Sequence, residues 1–145
     1  MFKSTSLILY AVAVSLSNAN EDGSKEFLSM VDECARLNGH TMSELSEVMS
    51  NGDVSILKPC FWGCAFTKTG FLNDKGQYDV DSGLIGVKKY MKDPLGLEKL
   101  EQMARQCESV NDKVVSDGNA GCERGMLAAK CFLEKDNGQI VPSAL

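Results

Sequence analysis

Cys60 and Cys64 lie four residues apart in the stretch Pro59-Cys-Phe-Trp-Gly-Cys-Ala-Phe66. Four residues is one helical turn, which sets the two Cβ atoms about 5–6 Å apart on one face. A disulfide needs about 3.8 Å. The two sulfurs are therefore not expected to bond each other, and each must reach a different partner. The segment reads as a central post stapled to two other parts of the chain. The remaining cysteines are Cys34, Cys107, Cys122 and Cys131. An even number in a small exported domain implies a disulfide framework, and six cysteines allow 15 pairings that spacing alone does not choose among. Zinc sites combine close cysteine pairs with histidines or further pairs. Here there is one close pair and one histidine, His40, so no metal and no other cofactor is expected.

Catalysis is equally unsupported. His40 follows Gly39 at a helix junction, where an exposed side chain is the plain expectation. There is no nucleophile motif and no glycine loop to cradle phosphate. The acidic residues are scattered on outward helix faces, which suits a solvated surface and not a catalytic pair.

The 145 residues suggest one domain preceded by a leader. Met1-Phe-Lys3 is basic, Leu7 to Leu16 is an apolar run, and Ser17-Asn-Ala19 supplies small residues. That order predicts a secretory signal peptide over residues 1–19, leaving a domain over 20–145. The apolar run is too short to span a bilayer. Without Lys3 the domain holds 14 basic and 20 acidic residues. Such a balance repels phosphate backbones and anionic lipid, so neither nucleic acid nor stable membrane association is expected.

Six helices must position the cysteines. Phe27, Leu28, Val31, Cys34 and Ala35 have helical spacing, and Asn38-Gly39 closes the first. Thr41 with Glu44 forms a capping box for a second, striped by Met42, Leu45, Val48 and Met49. Pro59 opens the third, which runs to about Lys68. Asn73-Asp-Lys-Gly76 reads as a turn, since neither register supplies the glycine and glutamate of a calcium loop. Asp79 or Asp81 caps a fourth helix that repeats through Val80, Leu84, Val87 and Met91. Its Gly83 and Gly86 either admit a close neighbour or merely weaken the helix. Asp93-Pro94 restarts the chain into a fifth, with Leu97, Leu100, Met103, Ala104, Cys107 and Val110 on one face and Val114 placed near the core. The sixth runs from about Ala120 to Lys135 with so broad an apolar arc that deep burial is expected. An apolar tail, Ile140 to Leu145, follows. The fold class is all-α, with no convincing strand.

The full pattern, Cys34-x25-Cys60-x3-Cys64-x42-Cys107-x14-Cys122-x8-Cys131, resembles the insect odorant-binding protein family, of the pheromone-binding and general-odorant-binding type with six cysteines. The likeness covers the whole domain, including the helix count, and Leu57-Lys-Pro-Cys-Phe-Trp-Gly-Cys64 resembles the family's neighbourhood of the close pair. The resemblance implies a compact bundle around an apolar cavity. It implies the pairing Cys34–Cys64, Cys60–Cys122 and Cys107–Cys131. Each such loop contributes roughly 3–4 kcal/mol in the chain-entropy model. That helps a small domain keep a hollow centre, since a dry cavity costs about 24 cal/mol per Å3.

The function expected is a secreted carrier of small hydrophobic molecules, such as odorants, pheromones or similar lipophilic ligands. Six methionines in the domain suit an adaptable apolar wall. Candidate walls are Leu45, Val48, Met49, Ile56, Leu84, Val87, Met91, Leu100, Met103, Met126 and Phe132, with Tyr78 and Tyr90 as polar groups to orient a ligand and the tail as a lid. Trp62 is roughly 200° around the helix from Cys60, so it is expected under a loop, partly exposed, or at a homodimer contact. The same scaffold would serve a secreted interaction or signalling module acting through its surface, or a scavenger of amines or lipids. The scavenger ranks lower, because no acid stands on an apolar face. The resemblance also implies release triggered by pH; a histidine route has only His40 to act through, and carboxylates holding the tail are the other route.

Overall fold

A computed structural model describes residues 23–136. Residues 23–37 form α1. The chain continues with α2 (Met42–Asn51), a 3-10 turn (Val54–Ile56), α3 (Pro59–Thr69), α4 (Val80–Val87), α5 (Pro94–Gln106), a second 3-10 segment (Glu108–Asp112) and α6 (Cys122–Asp136). Among the described residues there is no strand, only an isolated antiparallel bridge between Leu72 and Tyr78. The fold is all-α, as the periodicities predict. No helix among the described residues is long and apolar enough to cross a membrane. The expected signal peptide, residues 1–19, and the apolar tail from Ile140 lie outside the described residues.

The helix boundaries follow from their caps. Gly39, Gly52 and Gly70 close α1, α2 and α3 with positive φ, where a side chain would be strained. Thr41 Oγ1 accepts from the Glu44 N–H at 3.3 Å. Asp79, not Asp81, is the N-cap of α4, and Asp93 that of α5; each carboxylate accepts a backbone N–H of the first turn. Gly121, at φ 79°, delays α6 to Cys122.

α3 and α6 form the central pair, and their backbones nearly touch. A Cβ on Gly125 would lie 2.5 Å from the Gly63 nitrogen, and one on Gly63 would lie 2.9 Å from the Gly121 carbonyl oxygen. Two glycines facing each other allow this approach, and no other residue would. The same logic decides between the two roles open to Gly83 and Gly86. The Phe71 ring lies on Gly83, and the Thr69 carbonyl oxygen would be 1.9 Å from a Cβ on Gly86. Both admit the end of α3.

Several expectations need correcting. α4 stops at Val87 and does not reach Met91, because the chain tightens into i→i+3 bonds from Lys89 to Gly86 and from Tyr90 to Val87. Val114 is 98% exposed, since the helical face that would have carried it inward ends in the 3-10 segment. α6 buries Gly125, Ala128 and Ala129, while Met126, Leu127, Phe132 and Leu133 are only half-buried. Its small residues meet α3 and its large ones flank that contact. The His40 side chain is 8% exposed and not a surface group.

Candidate functional site

The six cysteines make three disulfides: Cys34–Cys64, Cys60–Cys122 and Cys107–Cys131. α3 is thus tied to α1 through Cys64 and to α6 through Cys60, while the end of α5 is tied to α6. The two sulfur positions on α3 go to different helices, as their spacing requires. The pairing is the one that the resemblance implies.

Inside this bracing lies one continuous apolar cluster. Of the thirteen candidate ligand contacts, Leu45, Val48, Tyr78, Val87, Leu100 and Met103 are buried in it. Met49, Ile56, Leu84, Tyr90, Met91, Met126 and Phe132 are half-buried and pack against it. All thirteen therefore belong to the same body of apolar side chains. At its α6 side the cluster is aromatic. Phe132 meets Phe66, Phe71 and Tyr78 edge-on, with centroids at 5.1, 5.6 and 6.3 Å, and Phe71 stacks on Tyr78. Phe66 and Phe71 were not among the candidates. Phe71 follows Gly70 outside any helix, so helical periodicity has no hold on it. Phe66 was visible only as part of the α3 run.

The two tyrosines differ. The Tyr78 hydroxyl donates to the Ala104 carbonyl at 2.7 Å, and its backbone is gripped by the Asn111 amide, which accepts from Tyr78 N–H at 2.8 Å and donates to its carbonyl at 2.7 Å. Burial, helped by the nearby Glu108 charge, pushes the phenol well above its ordinary pKa. Tyr90 is half-buried with its ring 5.7 Å from Phe27, edge-on. Trp62 is buried under the 3-10 turn, donating its indole N–H to the Val54 carbonyl at 3.0 Å.

Two open clefts flank the cluster. One, of about 560 Å3, is polar and is lined by Asn73, Gln77, Asp79, Glu108, Asn111 and Arg124 among others, with Tyr78 at its base. The other, of about 490 Å3, lies between α4 and α5 and is lined by the apolar Leu84, Ile85, Pro94 and Leu97 and by the charged Asp81, Lys88, Glu98 and Glu101. Among the thirteen, Tyr78 and Leu84 line these clefts, while the others lie in the interior cluster. No group of three or more acid, cysteine or histidine side chains that could hold a metal occurs among the described residues.

A model of the PBP/GOBP family matches residues 17–135. The chain belongs to that family. The match spans the described helices up to the last residue of α6, and all six cysteines. Among solved structures, the odorant-binding protein dmelOBP28a from Drosophila melanogaster has a similar fold. It is 18% identical, with a TM-score of 0.54 over 81% of this chain and 95% of that one. No curated protein matches the sequence. Family membership and likeness of fold thus agree with the all-α architecture that the helix periodicities predict.

Proposed function

We propose that this PBP/GOBP-family protein is a secreted carrier that takes a small apolar molecule into its interior, not a catalyst. The observation that carries the reading is the union of family membership with one apolar cluster enclosed by three cross-links. The half-buried members, above all Met49, Met91, Met126 and Phe132, are the side chains a ligand would displace or touch. Methionine adjusts its shape at little cost, so these positions suit a variable guest. The aromatic group around Phe132 gives flat surfaces for unsaturated or cyclic molecules. A ligand burying roughly 300 Å2 of apolar surface gains about 7 kcal/mol before ordering costs, which corresponds to micromolar affinity or weaker. Tyr90 is the polar group best placed to orient a ligand, while Tyr78, committed as a donor, can only accept. Residues 1–19 serve as the export signal and the tail as a lid in this reading, and the acidic surface keeps the loaded carrier soluble.

The test is titration of the refolded, fully oxidised domain with a fluorescent apolar probe, followed by displacement with odorant-sized molecules. Saturable binding with displacement is expected, weakened about ten-fold by Phe132→Ala while the far-ultraviolet circular dichroism is unchanged. Absence of saturable binding with all three disulfides formed overturns the carrier reading and leaves a module that acts through its surface.

A further inference from the structure

The three disulfides differ in how readily a sulfur can be reached. Cys34 and Cys107 are 0% exposed, so Cys34–Cys64 and Cys107–Cys131 each have one wholly buried end, and their other ends are half-buried. In Cys60–Cys122 neither end is buried: Cys60 is exposed and Cys122 half-buried. Thiol–disulfide exchange begins when a thiolate reaches one sulfur of the bond, so its rate follows access. The Cys60–Cys122 bond also joins the starts of two helices. Cys60 follows Pro59 in the first turn of α3, and Cys122 is the first residue of α6. A helix start carries partial positive charge, which favours a thiolate there. The α3 start has no acid in its first turn. At the α6 start Asp117 accepts the Glu123 N–H and Glu123 accepts the Ser116 N–H, and these two carboxylates temper the effect. Cys34, Cys64 and Cys131 lie further along their helices, and Cys107 closes α5, at the end whose dipole opposes a thiolate.

We infer that Cys60–Cys122 is a thiol-exchange site: a small thiol opens it ahead of the other two disulfides, and its opening parts the bundle between α3 and α6. The first external thiolate attacks the Cys60 Sγ, the S–S bond breaks, and Cys122 leaves as a thiolate at the start of α6. A second external thiolate attacks the sulfur now attached to Cys60, and Cys60 leaves as a thiolate at the start of α3. Two external thiols are thereby oxidised to their disulfide, and the two electrons pass to Cys60 and Cys122, which take up protons as the pH dictates. The cross-links that remain tie α1 to α3 and α5 to α6. No side-chain bond then joins these two pairs of helices. The crossing at Gly63 and Gly125, where two backbones meet with no side chain between them, is held by packing alone. The stability that this bond supplies does not oppose the order of opening. Stability sets how far reduction proceeds at equilibrium, whereas access sets which bond goes first. The inference does not rest on cargo binding.

The experiment is brief treatment of the oxidised protein with reduced glutathione, alkylation with N-ethylmaleimide, and mass mapping of the labelled cysteines. At early times Cys60 and Cys122 should carry label in at least about ten-fold excess over the other four. Their labelling rate should be unchanged by low urea, because the attack needs no unfolding, whereas labelling of the buried pairs should quicken with it. In the isolated form that keeps the other two disulfides, amide hydrogen exchange should rise around Gly63 in α3 and Gly125 in α6 before it rises elsewhere. First label on Cys34–Cys64 or Cys107–Cys131, equal label on all three pairs, a Cys60–Cys122 rate that climbs with urea as global unfolding does, or unchanged protection at the Gly63–Gly125 crossing after reduction would each overturn the proposal.

Discussion

Between α2 and α3 the His40 ring is held at both nitrogens. Nδ1 lies 2.7 Å from the Glu44 carboxylate, and the Lys58 N–H points at Nε2 from 3.0 Å. A backbone N–H can only donate, so Nε2 must accept and the ring hydrogen sits on Nδ1, donated to Glu44. The imidazole also meets Phe61 edge-on. It thus satisfies an orphan donor at Lys58, the N-cap position of α3, which has no side-chain cap of its own. His40→Ala should cost about 1–3 kcal/mol in a urea unfolding series, because a buried ring is lost from its place against Phe61 together with both of its hydrogen bonds; Glu44→Ala should cost less, since it removes one of those bonds and leaves the ring in place. Nothing in the local sequence announces this, since the partner at Lys58 is 18 positions away. Tyr78 makes the same point with a hydroxyl. Tyr78→Phe should cost about 1 kcal/mol by removing the hydroxyl's bond to the Ala104 carbonyl, which keeps the Cys107 N–H as its other donor. Its folded-state pKa is raised by burial, so this contribution is complete below the unfolded pKa of about 10 and is lost as pH rises beyond it. Absorbance at 295 nm should show Tyr78 ionising together with unfolding.

At the scale of elements, the caps were the most legible feature of the chain. Thr41, Pro59, Asp93-Pro94 and the closing glycines act through bonds to residues two to four positions away, so a linear sequence displays them. Packing partners are less legible, because Gly63 and Gly125 are 62 positions apart and meaningful only together. Gly125→Ala should cost more than the usual 1–3 kcal/mol of overpacking, since the atoms it meets are backbone and have no rotamer to adopt. Gly118→Ala is the control: nothing lies within 4 Å, and only its φ of +60° opposes the change, by about 1–2 kcal/mol. The caps also set the acid limit. Hydrogen bonds from Ser55 and Ser82 hold the Asp53 and Asp79 carboxyls below their ordinary range, His40 does so for Glu44, and Lys68 for Glu33. A lowered folded pKa stabilises above the unfolded value and is lost as pH falls through the folded one. The melting temperature should therefore be flat near neutrality and drop below about pH 4, with Asp79→Asn flattening part of the drop.

For the molecule as a whole, the cysteine pattern carried the architecture further than any periodicity did. Spacing on one helical turn excluded the Cys60–Cys64 bond, but it left the partners open, because pairing is a property of the fold. The aromatic group around Phe132 was hidden for a related reason: it gathers side chains from α3, the turn after it and α6, and no local pattern spans all three. The cross-links themselves should not be equal. Cys60–Cys122 closes a separation of 62 residues beside the Gly63–Gly125 crossing, whereas Cys107–Cys131 closes 24. Chain entropy alone assigns about 4 kcal/mol to the first and about 3.5 to the second, a small gap. The first also holds the central helices at glycine-only distance. Without it, α3 and α6 are free to separate, and the apolar cluster that both helices line loosens with them. Replacing both Cys60 and Cys122 by serine should therefore lower the unfolding midpoint more than replacing Cys107 and Cys131, by a margin larger than entropy predicts, and should abolish binding of an apolar probe. The Cys107–Cys131 pair should weaken the fold yet leave probe binding measurable at low temperature. Equal losses in the two double variants would show that the cross-links act only on the unfolded chain, and that the α3–α6 contact holds without its staple.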